Sequence, residues 1–203
     1  MVNIKTMCTN WKNFVRMAIG LPPVYPVKIV RSEKAKKYPL LHIKKDGDVG
    51  YDLPSIERVV VPAPNDVQRN QYLNLMRRAE ECDKSGYLEH ADYFMKKALE
   101  CLPKAIVPTG IKIEMPDTIW ASIEARSSTS SKMMFMPDAI IDAGYRGELF
   151  VIVFNFGYKD YVIEEGERIA QVIFHQRILA KFHEVDALSP SERNESGFGS
   201  TGR

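Results

Sequence analysis

Cysteine is scarce, with three residues, Cys8, Cys82 and Cys101, in a chain of 203. Their odd number, wide spacing and lack of any C-x-x-C pair argue against a disulfide framework or a zinc site. The four histidines, His42, His90, His175 and His183, show no ligand spacing either. No run approaches the roughly 18 apolar residues that mark a membrane span. An excess of one charge is also missing, since 28 Lys and Arg against 26 Asp and Glu leave a net +2. That balance argues against a general nucleic-acid binder. These absences predict a reducing, intracellular setting, cytoplasmic or nuclear (host cytoplasm for a viral chain). Neither nucleic acid nor membrane is expected as a partner.

What is present suits a globular protein. Hydrophobic residues are 45% and charged residues 27% of the chain, enough for a buried core without staples. Residues 1–25 read as an N-terminal extension. Trp11, Phe14, Val15 and Ile19 mix there with Lys5, Lys12 and Arg16. This predicts a short amphipathic helix, because the charges interrupt any signal-peptide core. Pro22, Pro23 and Pro26 end it. Val27 to Val30 alternates like a half-buried strand. Lys34 to Lys37 reads as a solvated loop, Asp46-Gly47-Asp48 as a turn, and Glu57 to Val61 as a strand.

The middle of the chain changes period. Tyr72, Leu75, Met76, Ala79 and Cys82 recur at three- and four-residue spacing, as do Leu88, Ala91, Met95, Ala98, Leu99 and Leu102. That is a helical hairpin over about Val67 to Leu102, broken near Gly86 and ended by Pro103. Strand patterns then return. Ile111 to Met115 alternates, and Leu149 to Phe156 and Arg168 to Ile178 read as buried strands. Short strands between Pro, Gly and Asp turns predict a mainly β protein, a barrel or jelly roll. Residues 189–203, with Gly197, Gly199 and Gly202, read as a mobile C-terminal tail.

Four segments carry phosphate-binding chemistry. Arg126-Ser127-Ser128 joins a guanidinium fork to two hydroxyls. Asp142, ahead of the Gly144 turn, is a candidate general base on water, and Tyr145 offers an aromatic face to a sugar or base. Gln171, after Gly166-Glu167-Arg168-Ile169-Ala170, can donate to an oxyanion. Gly197 to Gly202 combines Phe198 with hydroxyls and a backbone that phosphates can approach closely. Each segment alone is equally a turn, a loop or a frayed tail.

In order, these segments resemble the motifs of the trimeric dUTPase family. Val49-Gly50-Tyr51-Asp52-Leu53 is similar to its first motif, and Val107 to Ile113 to a family strand entry. Arg126-Ser127-Ser128 with Lys132 resembles the second, Ala139 to Gly147 the third, and Gly166 to Gln171 the fourth. Arg193 with Gly197 to Gly202 resembles the fifth. The resemblance covers about Val27 to Pro64 and Lys104 to Arg203.

It implies a jelly-roll-like β-barrel over residues 26–64 and 104–188, assembled as a homotrimer with shared active sites. The helical hairpin, 65–103, becomes an insertion. The implied reaction is Mg²⁺-dependent hydrolysis of dUTP to dUMP and pyrophosphate. By resemblance, Asp142 activates the water, Tyr145 packs on deoxyribose, and the backbone from Ala139 to Ile141 reads uracil. Arg126, Ser127, Ser128 and Gln171 hold phosphates, and Asp52 supports the metal shell through water. Phe198 stacks on the base, while Arg193, Gly199, Ser200 and Thr201 close over the phosphates.

Departures from the pattern leave alternatives. Ser128 stands where the family usually has Gly, as in the related dCTP deaminases. Ala139 replaces a Gly in the base-reading hairpin, and Asn194-Glu195-Ser196 replaces a glycine-rich stretch. A deoxynucleoside triphosphate pyrophosphatase with altered base choice therefore stays open. So does a regulatory protein that binds a partner through the insertion. Deamination is the weaker alternative, because Ile152 occupies the deaminase position of the proton-shuttling Glu. The insertion's charges nearly cancel, which argues against a basic nucleic-acid surface, and packing on the barrel or a neighbouring subunit is expected of it. A partner-docking role, signalled by an exposed apolar stripe, and a lid or base-specificity role stay open.

Overall fold

The computed structural model describes residues 4–43, 45–130 and 134–191. Its elements run α1 (Ile4–Ala18), β1 (Lys28–Arg31), β2 (Gly50–Pro54), β3 (Val59–Val61), α2 (Asp66–Lys84), α3 (Leu88–Glu100), β4 (Lys104–Glu114), β5 (Ile119–Ala125), α4 (Ser127–Ser130), β6 (Met134–Phe135), β7 (Ala139–Ile141), β8 (Glu148–Asn155), β9 (Tyr161–Ile163) and β10 (Arg168–Gln176). The protein is thus mainly β, with the expected helical hairpin and N-terminal helix. The strands form two four-stranded sheets, β1-β4-β8-β6 and β2-β10-β5-β7, and a pair, β3-β9. Every pairing is antiparallel. Among the described residues the ladders stay as three sheets and do not close into one barrel.

The core lies between the two larger sheets. Leu53, Val107, Leu149, Val153, Ile169 and Val172 are fully buried there. The strand from Leu149 is sealed on one face only. Leu149, Val151 and Val153 point inward, while Phe150 and Ile152 are 43% and 40% exposed. Its continuous apolar run suggested burial on both faces. Alternation along a strand sends every second side chain to the other face, which no described element covers completely.

Val107 to Ile113 has a structural reason. β4 bulges between Pro108 and Lys112, and Gly110 adopts φ 66°, a left-handed conformation that suits glycine. A side chain there would strike Ser32. The Gly110 N–H donates to Glu148 Oε1 at 2.8 Å, and Thr109 Oγ1 donates to the Leu149 carbonyl at 2.6 Å.

The hairpin of α2 and α3 begins with a capping box. Asn65 accepts from the Gln68 N–H, and the Gln68 side chain accepts from the Asn65 N–H, which satisfies two helix-end donors. Gly86 (φ 79°) turns the chain, and Ala79, Ala91 and Ala98 are buried in the seam. Outside the seam, Val67, Leu73, Tyr87, Leu88 and Tyr93 are exposed. Arg69 ties α2 to the sheet by donating to the carbonyls of Phe156 at 3.3 Å and Gly157 at 2.7 Å.

The helix α1 turns Asn13 inward, where its Oδ1 accepts from the Val24 N–H at 2.8 Å. Trp11 and Phe14 stack with centroids 5.8 Å apart and stay exposed. No helix among the described residues is long and apolar enough to cross a membrane.

Asn155 carries the turn after β8. It is 1% exposed, donates to the carbonyls of Val61 and Lys159, and accepts from the Gly157 N–H. Asn155→Ala leaves those buried groups unpaired and is expected to cost about 1–3 kcal/mol, read as a lower urea midpoint at unchanged m-value.

Candidate active site

Strand β10 gathers three of the motifs. Gln171 lies opposite Asp52 of β2 on one side and Glu124 of β5 on the other. Arg126 follows β5 directly, and its Nε reaches Asp52 Oδ1 at 2.7 Å. Arg168 Nη1 approaches the other carboxylate oxygen at 3.4 Å. The Arg126 Nη1 donates to the Arg168 carbonyl at 3.0 Å and lies 3.5 Å from Ser128 Oγ. Ser127 and Ser128 lie on the single turn α4, anchored where Thr129 Oγ1 donates to the Ile169 carbonyl at 2.9 Å. Two guanidinium groups flank the Asp52 carboxylate, with the Glu124 carboxylate on the far side of Gln171, so the Arg126 and Arg168 side of this face is the one suited to an anionic ligand.

The close approach of β2 and β10 depends on Gly50. A side chain there would occupy the space that the Gln171 side chain fills. The Gln171 Nε2 lies 3.5 Å from the Ala125 carbonyl.

The third motif divides between two clefts, as strand alternation dictates. Ala139, Ile141 and Tyr145 border an apolar cleft of about 330 Å³, with Ile106, Met136 and Ile152. Its size lies within the range of small-ligand sites. Tyr145 lies over Gly147, which has no Cβ to obstruct the ring, and its hydroxyl donates to the Glu148 carbonyl at 3.0 Å. Asp142 is exposed and borders a different cleft with Trp120, Ile140, Gly144 and Arg177. Within one chain, Asp52, Arg126, Ser128 and Gln171 therefore converge, Ala139, Ile141 and Tyr145 share a cleft, and Asp142 stands apart. Lys132, Arg193, Phe198, Gly199, Ser200 and Thr201 lie outside the described residues.

Residue-by-residue reading passed over Arg168, although it sits inside Gly166 to Gln171. Its place beside Asp52 follows from strand register, which one sequence does not reveal. It likewise passed over a hydrogen-bonded row on β5 and β10. Ser122 Oγ donates to Glu124 Oε1 at 2.7 Å and meets His175 Nε2 at 2.8 Å, and His175 stacks on Trp120.

The loop before β2 is clamped to the turn before β10. Glu165 meets Lys37 Nζ at 3.3 Å and the Tyr38 hydroxyl at 3.2 Å. The Lys37 hydrogen bond, then that of Tyr38, holds the Glu165 carboxyl below its ordinary range. Burial, then Glu165, pushes the Tyr38 phenol up.

Fold and site together define an antiparallel β protein with a guanidinium–carboxylate cluster beside β10 and an apolar cleft of about 330 Å³ beside β7. The family model for dUTPase matches residues 93–202. A deoxyuridine 5'-triphosphate nucleotidohydrolase of Alkaliphilus metalliredigens is 32% identical over 182 residues, spanning 88% of this chain and 99% of the relative. One from Clostridium tetani is 40% identical over 102 residues, 49% of this chain and 70% of the relative. The dUTPase of Staphylococcus bacteriophage 80alpha with dUPNHPP shares the fold at TM-score 0.63 and 22% identity, covering 89% of this chain and all of that one. A mutant dUTPase from phage phi11 of S. aureus, whose structure details the coordination of a structural Mg(II) ion, aligns at TM-score 0.56 and 18% identity, over 81% and 99% of the two chains. The chain belongs to the dUTPase family.

Two outcomes are expected. Gly50→Ala displaces Gln171 and weakens binding of a non-hydrolysable deoxyuridine triphosphate about tenfold, measured by calorimetry. A lowered folded pKa makes Glu165 stabilise the clamp above its unfolded value and lose that contribution as pH falls through the folded one. Amide exchange at residues 38 and 40–43, corrected for intrinsic rate, is therefore expected to quicken on acidification below about pH 4, and Glu165→Gln to remove that step.

Proposed function

We propose that the protein hydrolyses dUTP to dUMP and pyrophosphate, with Asp142 activating the water that attacks the α-phosphorus. Family membership supplies the reaction class, that of a dUTP diphosphatase. The residue-level reading is carried by the convergence on β10 of Asp52, Arg126 and Gln171 from three separate motifs. Of these, the Arg126 guanidinium and the Gln171 amide are donors, and Asp52 holds Arg126 in place; donors fixed before the substrate arrives stabilise charge that grows on phosphate oxygens during displacement. In this reading Arg126, Ser127, Ser128 and Gln171 hold the triphosphate. Tyr145 packs on deoxyribose, and the backbone from Ala139 to Ile141 reads the base. The tail, 189–203, supplies Phe198 to stack on the base, with Arg193, Gly199, Ser200 and Thr201 closing over the phosphates.

The donor set fits Mg²⁺ held chiefly by the substrate. Among the described residues no group of three or more His, Cys, Asp or Glu suits a metal cage. Mg²⁺ keeps several waters and commonly binds phosphates with one or two carboxylates. Asp52, already paired with two arginines, would support the ion's shell through water. Bound there, the ion would neutralise triphosphate charge.

In the same reading the protein assembles as a homotrimer with shared sites. Asp142 borders a different cleft from Tyr145, and the outer face of β4 and β8 exposes Ile106, Phe150 and Ile152. Those three side chains also line the Ala139 cleft, so subunit contact along that face would complete the wall of the cleft and join the dispersed groups. Ile152 on the base-cleft wall cannot shuttle a proton, which favours attack at phosphorus over deamination.

With Mg²⁺, pyrophosphate release is expected to favour dUTP over dTTP, dCTP, dATP, dGTP and UTP, and to stop with EDTA. Asp142→Asn is expected to lower kcat about 10²- to 10⁴-fold with little change in KM. Another preferred deoxynucleotide would move the novelty to Ala139. Silence on all six would overturn the hydrolase reading.

A further inference from the structure

We infer that the inserted helical hairpin positions the loop bounding the base cleft, through an aromatic chain from Tyr72 to Phe156 to Phe135. The inference rests on reading the cleft beside Ala139 as the base site. Tyr72, on α2, meets Phe156 edge-on, with centroids 5.5 Å apart and planes at 80°. Phe156 meets Phe135 in the same way, at 6.0 Å and 87°. Phe135 also lies 6.2 Å from Phe154. Edge-to-face pairs of this kind favour a defined relative orientation.

Phe135 ends β6, and the next four residues, Met136, Pro137, Asp138 and Ala139, all line the cleft. The strand β6 has only two residues, and its recorded ladder is to β8 alone, Met134 opposite Asn155 and Phe135 opposite Phe154. So short an element has little stability of its own; Met134 and Met136 root it in the core, and Phe135 between them, 43% exposed, packs its ring on the outer face against Phe154 and Phe156 and so couples the start of the loop to that face. At the far end of the chain the hairpin is fixed. Arg69 donates to the Phe156 and Gly157 carbonyls, and its guanidinium lies 4.0 Å over the Tyr158 ring. The same short turn, 156–158, therefore takes both the anchor of α2 and the middle ring of the aromatic chain.

A shift of α2 thus reaches Phe156 directly, then Phe135, then the loop at residues 136–138. Asp142 lies beyond β7 on another cleft, so the effect falls on nucleotide binding and spares the water-activating step. Tyr72, Phe156 and Phe135 are positioning residues, acting on substrate through the loop.

The test uses the full chain. Tyr72→Ala and Phe135→Leu are each expected to raise the KM for dUTP about three- to tenfold while kcat stays within about twofold. Tyr72→Phe, which keeps the ring, retains the wild-type KM. The double variant is expected to raise KM no more than the larger single change, because both break one chain. If Tyr72→Ala does not fold, Tyr72→Leu carries the same expectation. Unchanged KM, multiplying effects, or an equal fall in kcat would overturn the inference.

Amide exchange on nucleotide-free protein separates this inference from the catalytic one. Exchange at residues 134–136, 138 and 139 is expected to quicken in Tyr72→Ala and not in Tyr72→Phe. Unchanged exchange overturns the coupling whatever the activity. A wild-type chain silent on dUTP but showing the exchange effect would sink the base-site reading and leave the mechanical coupling standing.

Discussion

The register of β10 against β2 and β5 fixes where the polar groups can meet. Ile169, Ala170 and Val172 are buried on the core side, and a one-residue slip would turn every side chain over. Held by that core, Gln171 faces Asp52 across one neighbour and Glu124 across the other. The register shift between Arg168 and Ala170 accommodates the arginine at the start of the strand. Apolar burial thus sets the geometry of the polar groups Asp52, Gln171 and Glu124 on the opposite face.

The ion cluster then sets the charge. Asp52 is 18% and Arg126 25% exposed in their side chains, so their pairing is partly shielded from water and stronger than an exposed pair. One carboxylate between two guanidiniums holds them together against mutual repulsion. It orients Arg126 most closely, at 2.7 Å, and Arg168 more loosely, at 3.4 Å. Removing the carboxylate would make the cluster more positive while releasing that geometry, so charge and alignment depend on opposite aspects of Asp52.

The sequence disclosed what is local. Helical period and the Gly86 break outlined both helices of the insertion, and the ordered motifs pointed to the strands and turns carrying Asp52, Arg126, Asp142, Tyr145 and Gln171. It did not disclose the second guanidinium at Asp52, because Arg168 is 116 residues away along the chain and meets it only through strand pairing. Nor did the apolar run of β8 reveal that Phe150 and Ile152 face outward, since period alone does not tell one covered face from two. The aromatic chain was equally hidden. Tyr72, Phe156 and Phe135 belong to three elements, and each ring taken singly reads as ordinary apolar packing.

The insertion shows how a long excursion can be accommodated without disturbing the fold. Closure entropy grows slowly with loop length, and the buried alanine seam and the capping box give α2 and α3 stability of their own. How the hairpin sits on the sheets is decided at the turn after β8. A free hinge would allow it to swing. Arg69 and Tyr72, three residues apart and so on neighbouring positions of one helical face, grip the turn at 156–158 by two different means. The guanidinium satisfies backbone carbonyls and the ring packs on a ring. Hydrogen bonds fix distance while the edge-on contact restricts rotation, so the attachment is directional despite its small size. A directional attachment beside the strand that leads into the Ala139 cleft joins the hairpin to an element that bounds that cleft, whatever else its exposed apolar side chains meet.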